Sequence, residues 1–322
     1  MEKRNESSCY NRSIRYAGTG IDPASGKKGI SVYAVVRPDS PQNARIPEHS
    51  LVKKVECNLS ELNLLPDKIG CDCDAFFHFG WGGTFGATRN NMYGQLDNVT
   101  YTIDAVEAAH KLNCSVFLGA GSQAEFGRVP DGVKLSSKLK ENPETGYGIA
   151  KLCAGQMSRA VCREYGIRHI WTRILSVYGP GDKDRTMVMS GICSMLKGES
   201  PKYTKGEQMW DYLYCDDAAE AFYLAAEKGK DGKVYCVGSG QPRMLKEFIT
   251  DIRDAANPDQ ELRFGEVPYY DKQVMYLCAD IEELQKDTGF QPATDFKKGI
   301  RETVAWRKAV SQEGNYKYEN WK

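Results

Sequence analysis

The sequence predicts an α/β fold in which a parallel sheet is covered by helices on both faces. Short apolar runs alternate with amphipathic helical stretches, the pattern of parallel strands joined by crossover helices. The chain has 322 residues, 41% of them hydrophobic, which is enough for one large domain or two small ones with a substantial core. No internal repeat or low-complexity linker interrupts the pattern.

Six segments have the composition of strands. They are short and rich in Val, Ile, Phe and other residues that suit a buried sheet. The run Ile30 to Val36 is the first, and it ends at a basic residue, Arg37. The others are 51–56, 74–81 including an exit loop, 115–119, 167–175 and 233–237.

Helical periodicity separates these strands. The stretch from Asn98 to Leu112 places Val99, Ile103 and Val106 on one face and predicts an amphipathic helix. A second helix is predicted from about Tyr147. The remaining predicted helices are 218–227, 244–256, 280–288 and 295–306, and the residues after about 310 are polar.

Composition excludes several classes of protein. Lys plus Arg and Asp plus Glu number 43 each, so the net charge is zero, which argues against a general nucleic-acid binder or a membrane-surface protein. No apolar run reaches the length of a membrane span, and no signal peptide is evident. Eleven cysteines without a Cys-x-x-Cys pair indicate reduced thiols in a cytoplasm, and four scattered histidines predict no metal site.

Ser122, Tyr147 and Lys151 form the candidate catalytic set. The tyrosine and the lysine lie on one face of a helix, about one turn apart. A positive charge beside a phenol favours phenolate and lowers the tyrosine pKa toward the range of a general acid or base. The Ser122 hydroxyl is suited to bind the same substrate oxygen. A surface helix with an exposed lysine has the same spacing, as Tyr318 and Lys322 in the polar tail illustrate.

The segments Gly-Ser-Gln-Ala-Glu-Phe-Gly at 121–127 and Tyr-Gly-Ile-Ala-Lys at 147–151 belong to a wider resemblance. The chain resembles the extended short-chain dehydrogenase/reductase family, the NAD(P)-dependent epimerases, dehydratases and reductases of nucleotide sugars. Its members carry Ser-x-x-x-(Tyr/Phe)-Gly after a strand and Tyr-x-x-x-Lys about two dozen residues later; here the Ser and Tyr are 25 residues apart. The resemblance extends from about Gly29 to Trp306.

This resemblance implies a Rossmann-like, doubly wound sheet with a smaller C-terminal substrate-binding lobe. The dinucleotide-binding domain is expected at 1–177, and 178–322 is expected to form mainly the substrate lobe, with the two parts interleaved. In the mechanism that the resemblance implies, Tyr147 exchanges a proton with a sugar hydroxyl or ketone. Lys151 lowers the pKa of that tyrosine and holds the nicotinamide ribose, while Ser122 orients the substrate oxygen.

The resemblance also implies where a cofactor binds. Family members that use NAD tend to carry an acid at the position of Arg37; a basic residue suits the 2′-phosphate of NADP, so NADP is favoured over NAD, with a solvated loop arginine as the alternative. Asn58 stands where the family often has an Asp that touches adenine. The segment Phe79-Gly80-Trp81 matches backbone that runs past the cofactor.

Two further cofactor positions follow from the same resemblance. Asn98 matches an Asn that the family keeps near a helix start, although a plain helix N-terminal residue is an equal alternative. Pro180 lies in the Tyr-Gly-Pro-Gly loop that borders the nicotinamide.

Three positions are candidates for contact with the sugar nucleotide. Ser176 replaces the usual Asn of the family, and Trp210 replaces a diphosphate-binding Arg. Trp210 cannot neutralise phosphate, but it can stack on a base or sugar; core packing is its alternative. Arg243 is placed to approach a diphosphate, or it is a surface cation at a helix start.

The N-terminus departs from the family. Residues 1–29 contain no apolar strand and no glycine-rich fingerprint, although their length suits a first strand and helix. A segment that has the expected length but not the expected residue types suggests a frameshift in the coding sequence. A divergent natural N-terminus is the alternative. If the pyrophosphate site is lost, the chain is a catalytically impaired or non-catalytic family member.

The residues at the positions of the dehydratase acids narrow the choice among the family's reactions. Those members carry Thr-Asp-Glu where Ser122-Gln123-Ala124 stands, so dehydration is disfavoured. An epimerase and a 4-ketoreductase acting on a nucleotide-activated sugar both remain. The family often forms homodimers through two helices per subunit, and the helices of Asn98 and Tyr147 are the candidates.

Overall fold

The computed structural model describes residues 7–11, 29–46, 48–271 and 273–312, with the backbone alone for 7–11. Its centre is a seven-stranded sheet in which every neighbouring pair is parallel. The order across the sheet is β10-β6-β5-β4-β1-β2-β3. The strands are β1 (Ser7–Asn11), β2 (Ser31–Val36), β3 (Val52–Glu56), β4 (Ala75–His78), β5 (Val116–Ser122), β6 (Arg168–Ile174) and β10 (Lys233–Val237).

The strand order reverses between β1 and β4. From β1 the chain proceeds outward to β2 and β3, and then returns to place β4, β5 and β6 on the other side. In open α/β sheets, ligands bind beyond the carboxyl ends of the strands at such a reversal. The fold therefore predicts a ligand-binding site beyond the carboxyl ends of the strands, near β1 and β4.

Helices cover both faces of the sheet, as the sequence predicts. One core packs β5 and β10 against α5, and the other packs β2 to β5 against α1 and α2. Long parallel strands buried on both faces need this double cover. The helices are α1 (Leu65–Ile69), α2 (Met92–Lys111), α3 (Gly146–Glu164), α4 (Met187–Leu196), α5 (Cys215–Lys228), α6 (Leu245–Ala256), α7 (Glu282–Thr288) and α8 (Phe296–Gln312).

A smaller C-terminal lobe has its own core. Its short strands β7 (Ser176–Tyr178) and β9 (Tyr212–Tyr214) pair in parallel, and β8 (Met209–Trp210) pairs antiparallel with β11 (Arg243–Met244). Side chains from α4, α6 and α8 pack together beneath them. Because β10 returns to the edge of the main sheet after this lobe has begun, the two parts interleave along the chain.

The start of α2 was predicted wrongly. The helix begins at Met92 rather than at Asn98, because the Asn91 side chain accepts the Gly94 N–H at 3.2 Å and caps it there. Gly94 weakens the helical signal of this first turn, but the cap and the packing of α2 against α3 maintain it.

The segment before Gly29 contains a strand, as its length suggests, although it has no apolar run. Strand β1 lies between β2 and β4 and is paired with both. Main-chain hydrogen bonding to two neighbours does not depend on an apolar sequence, so the missing pattern did not prevent a strand. Residues 12–28, on which the glycine fingerprint and the frameshift hypothesis depend, lie outside the described residues.

Candidate active site

Ser122, Tyr147 and Lys151 line a single cavity of about 480 Å³ at the carboxyl ends of the strands. Ser122 is the last residue of β5, and the other two project from the first turns of α3. The N-terminus of α3 is capped by the Thr145 hydroxyl, which accepts the Gly148 N–H at 3.1 Å. The cap fixes the start of the helix, and with it the direction in which Tyr147 points.

Ser122 makes two hydrogen bonds through its hydroxyl. Its Oγ accepts the N–H of Ala124 at 3.2 Å, and the hydroxyl also hydrogen-bonds the Tyr147 phenol. A serine hydroxyl has one proton and two acceptor lone pairs, so it can hydrogen-bond the phenol while it accepts from the backbone. The two hydroxyls are thus close enough to bind one substrate oxygen together.

The pKa of Tyr147 does not move in the predicted direction. Burial raises it above the ordinary value of 10.0; the hydrogen bond with Ser122 and the positive charge of Arg89 act in the opposite direction. The expectation that Lys151 lowers it is wrong in this structure. The ammonium Nζ lies 6.0 Å from the centre of the phenol ring and interacts more closely with other groups.

Lys151 is buried, with 4% of its surface exposed. Its Nζ donates a hydrogen bond to the Ala120 carbonyl and lies 3.8 Å from the centre of the Trp81 ring. Burial lowers the lysine pKa from 10.5 to about 7, although the negative charge of Glu125 opposes this shift. At neutral pH the side chain is therefore divided between its charged and uncharged forms.

This burial predicts that Lys151 costs the protein stability. Its pKa is lower in the folded chain than in the unfolded one, so unfolding takes up a proton between about pH 7 and pH 10.5. The cost is full below this window and absent above it. We expect Lys151→Met to raise the free energy of unfolding below pH 7 by about 5 kcal/mol, the free energy that corresponds to the difference between the two pKa values, with the gain disappearing toward pH 10.5. Urea unfolding at a series of pH values, with exposed Lys54→Met as the control, measures the effect; equal effects at all pH values would contradict it.

A buried ion pair behind Ser122 was missed by the sequence analysis. Glu125 is completely buried; it accepts the Ser122 N–H at 2.8 Å and the Arg173 Nε–H at 2.7 Å. The Trp171 indole N–H donates to the same carboxylate at 3.1 Å, and Arg173 also donates to Glu141 at 2.6 Å. The carboxylate therefore fixes the backbone that carries Ser122. In the sequence, Glu125 could have been noticed as a charged residue just after the apolar strand β5.

The residues predicted to border a cofactor lie along the carboxyl edge of the sheet. Arg37 directly follows β2, and Asn58 follows β3, where it caps the 3₁₀ helix Leu59–Leu64 and shares a hydrogen bond with Glu61 at 3.2 Å. Phe79, Gly80 and Trp81 follow β4, and the first and last of these line the cavity. These positions run from the edge of the sheet to the catalytic set, as a bound dinucleotide requires.

Asn98 acts through the backbone of the neighbouring loop. It is buried in the middle of α2, accepts the Gly82 N–H at 2.7 Å and donates to the Gly82 carbonyl at 3.1 Å. The alternative of a helix N-terminal polar residue is therefore wrong. Asn98 fixes the loop that carries Trp81, whose indole N–H donates to Gln95 at 2.9 Å.

The two departures from the family pattern on the substrate side contact each other. The Trp210 indole N–H donates to the Ser176 hydroxyl at 2.9 Å, and both residues line the cavity. Trp210 also packs against two groups of apolar core residues, so it combines core packing with a place in the cavity wall. A serine in place of asparagine and a tryptophan in place of arginine thus form one structural unit.

Among the predicted residues after β7, two do not line the cavity. Arg243 pairs with Asp251 at 2.9 Å and lies over the Phe248 ring at 4.6 Å, and its contact with a diphosphate stays a prediction. Pro180 is half-buried in the loop after β7 and does not line the cavity. The same loop instead contributes Asp182, Lys183 and Arg185, which the sequence analysis missed.

Comparison with known proteins identifies the family. Residues 16–238 match the model of the NAD-dependent epimerase/dehydratase family. The chain belongs to this family. The match covers every strand of the main sheet except β1, and all the cavity residues from Phe79 to Phe222, so the candidate catalytic set lies within it.

Relatives of this family differ in the reactions that they catalyse. The chain is 30% identical over 232 residues to the trifunctional UDP-glucose 4,6-dehydratase/UDP-4-keto-6-deoxy-D-glucose 3,5-epimerase/UDP-4-keto-L-rhamnose-reductase of Arabidopsis thaliana, covering 70% of this chain and 33% of the relative. It thus spans about a third of that plant relative. It is 24% identical to CDP-abequose synthase of Salmonella typhimurium over 90% of this chain and 94% of the relative.

Solved structures share the whole fold. UDP-glucose 4-epimerase of Thermotoga maritima, determined with UDP-glucose, superposes with a TM-score of 0.82 at 20% identity, over 95% of this chain and 99% of that chain. At this identity the likeness shows the fold and not the reaction. Within the described ranges, every helix is too short or too polar to cross a bilayer.

Proposed function

We propose that this member of the NAD-dependent epimerase/dehydratase family is a reductase that transfers hydride to the 4-keto group of a nucleotide-activated sugar. The observation that carries the proposal is the hydrogen-bonded pair of Ser122 and Tyr147 in the cavity, with Lys151 beside it. Such a pair binds a ketone oxygen and donates a proton to it. Gln123 and Ala124 do not line the cavity, so the positions of the dehydratase acids supply no group for the removal of water.

The described residues fit a nicotinamide dinucleotide at its nicotinamide end. The cavity is lined there by Phe79, Trp81, Tyr147 and the buried Lys151. The pyrophosphate end depends on residues between β1 and β2 that lie outside the described part of the chain. When bound, the nicotinamide ring supplies the hydride. The chain's own residues hold the ribose (Lys151), donate the proton (Tyr147) and orient the ketone (Ser122).

Arg37 supports NADP as the cofactor. It stands directly after β2, the position from which a side chain reaches the adenosine ribose in dinucleotide-binding folds. A guanidinium is suited to a 2′-phosphate because its planar fork matches phosphate oxygens.

The opposite wall of the cavity supports a nucleotide sugar as the substrate. Trp210 and Tyr212 provide an aromatic surface on which a base or sugar ring stacks, and Lys183 and Arg185 provide positive charge. Since Trp210 cannot neutralise a diphosphate, these two cations of the loop before α4 take that role. Trp210 is fixed by its hydrogen bond to Ser176, so the aromatic surface is held rigid.

The test is oxidation of NADPH in the presence of nucleotide-linked 4-keto-6-deoxy sugars. We expect oxidation that requires the keto sugar and is faster with NADPH than with NADH. Interconversion of two sugar epimers without net consumption of cofactor would instead identify an epimerase. Binding of each cofactor is measured by quenching of tryptophan fluorescence, and Trp81→Phe shows how much of the signal comes from the cavity. If neither cofactor quenches the fluorescence, the result would indicate the non-catalytic alternative.

An exposed apolar surface on α2 and α3 supports a homodimer. Tyr93 is 84% exposed and Leu96 is 58% exposed on α2, and Ile149 is 52% exposed on the adjacent α3. Large apolar side chains concentrated on two packed helices favour pairing with a second copy of the same surface. We expect the protein to sediment as a dimer and Leu96→Glu to sediment as a monomer. A control, Val274→Glu, changes an exposed apolar residue outside α2 and α3; a wild-type monomer would contradict the proposal.

A further inference from the structure

Arg89 lies directly against the phenol ring of Tyr147. It belongs to the 3₁₀ helix Gly86–Asn90, which precedes α2. Its guanidinium carbon is 4.3 Å from the centre of the ring, and its Nη1 donates to the Thr84 carbonyl at 3.1 Å. The main-chain contact holds the guanidinium over the ring, so the position of the charge is set by the loop.

The other groups around Tyr147 come from three elements. Ser122, at the end of β5, hydrogen-bonds the phenol, and Glu125, in the 3₁₀ helix that follows, adds negative charge. Lys151, on the same helix as Tyr147, lies 6.0 Å from the ring centre but only 3.8 Å from that of Trp81. The Trp81 ring presents its edge to Tyr147 at 6.2 Å.

The two nearby cations differ in permanence as well as in distance. Arginine remains protonated throughout the accessible pH range. Lys151 has a pKa of about 7 because it is buried. Above neutral pH, where a phenol ionises, Arg89 is therefore the cation that remains fully charged and lies closest to the ring.

We propose that Arg89 is a positioning residue that sets the acidity of Tyr147 by placing a permanent charge over its ring. The negative charge of a phenolate is delocalised into the ring, so a cation over the ring face attracts the phenolate more strongly than the phenol. In agreement, the charge of Arg89 lowers the pKa of Tyr147 against the effect of burial. The consequence for turnover rests on the proposed function, whereas the effect on Tyr147 ionisation does not.

The experiment measures the ionisation of Tyr147 itself. The ultraviolet absorbance of tyrosinate is followed during alkaline titration, and subtraction of the same protein with Tyr147→Phe isolates the signal of this residue. We expect Arg89→Met to raise the Tyr147 pKa by about one unit, and Arg89→Lys to restore part of the difference because it keeps the charge. Arg89→Gln is a second neutral variant in case the methionine variant folds poorly.

Arg163→Met is the matched control. It removes one exposed arginine from the far end of α3 and changes the net charge by the same amount. We expect this variant to leave the Tyr147 titration unchanged. A Tyr147 pKa that is the same in Arg89→Met, Arg89→Gln and the wild type would overturn the proposal.

The pH dependence of turnover provides the second measurement. In the reductive direction Tyr147 must be protonated, so activity falls as pH rises through its pKa. Arg89→Met is expected to move this fall to higher pH by the amount measured in the titration, with KM for the sugar changed less than kcat. A shifted titration without turnover on any sugar would support the role of Arg89 and count against the proposed function alone.

Discussion

Tyr147→Phe is expected to reduce kcat by about 100- to 10,000-fold, the range typical for loss of a general acid. The phenol oxygen is hydrogen-bonded by Ser122 inside the cavity, and the substitution removes that oxygen while keeping the ring between Arg89 and Trp81. Binding of the sugar depends on the opposite wall, which the substitution does not touch. Steady-state kinetics should therefore show a large loss in kcat with a much smaller change in KM.

Tyr165→Phe is the matched control for this prediction. Tyr165 follows the last turn of the same helix, and its hydroxyl donates to Glu107 at 2.7 Å, away from the cavity. We expect its kcat to equal that of the wild type within a factor of two or so, since surface substitutions usually have small effects. A Tyr147→Phe enzyme that keeps more than roughly a tenth of wild-type kcat would remove the tyrosine from its proposed role.

Glu125→Ala is expected to lower the free energy of unfolding by about 3 kcal/mol, because it removes the buried partner of Arg173 and leaves that guanidinium paired only with the partly exposed Glu141. Only 2% of the Arg173 side chain is exposed, and Glu125 is its closest buried partner at 2.7 Å. The same change removes the acceptor of the Ser122 N–H, so the backbone beneath the catalytic serine loses a contact. Guanidinium unfolding followed by circular dichroism measures the loss of stability.

A double-mutant cycle separates the pair from its individual members. Combining Glu125→Ala with Arg173→Met removes both charges, and we expect the double variant to be more stable than Glu125→Ala alone. The exposed pair of Arg128 and Glu144, with nitrogen and oxygen 3.1 Å apart, provides the comparison. Glu144→Ala is expected to cost less than about 1 kcal/mol. Equal losses for Glu125→Ala and Glu144→Ala would mean that burial does not govern the energetics of the inner pair.

Local sequence patterns predicted the elements that are long and regular. The apolar runs at 30–36 and 167–175 became β2 and β6, with ends that differ by one residue. A strand that is buried on both faces has a continuous run of apolar residues, and this run is recognisable in the sequence without knowledge of the neighbouring strands. Placement of Tyr147 and Lys151 on one helix face followed from spacing, because helical geometry is local.

Errors arose where a partner distant in the chain decides the outcome. The start of α2 depends on the Asn91 cap and on packing against α3. Neither is encoded in the hydrophobic period of the segment itself.

The sequence by itself determined the α/β class and the order of the main elements, and it predicted the candidate catalytic set. Only the tertiary structure decided the charges that act on that set: Lys151 lies against Trp81, Arg89 lies over Tyr147, and Glu125 pairs with Arg173. Periodicity depends on bonded geometry and burial within one segment. Electrostatic effects depend on distance and solvent exposure between residues far apart in the chain, and these are fixed only when the sheet and its helices have packed.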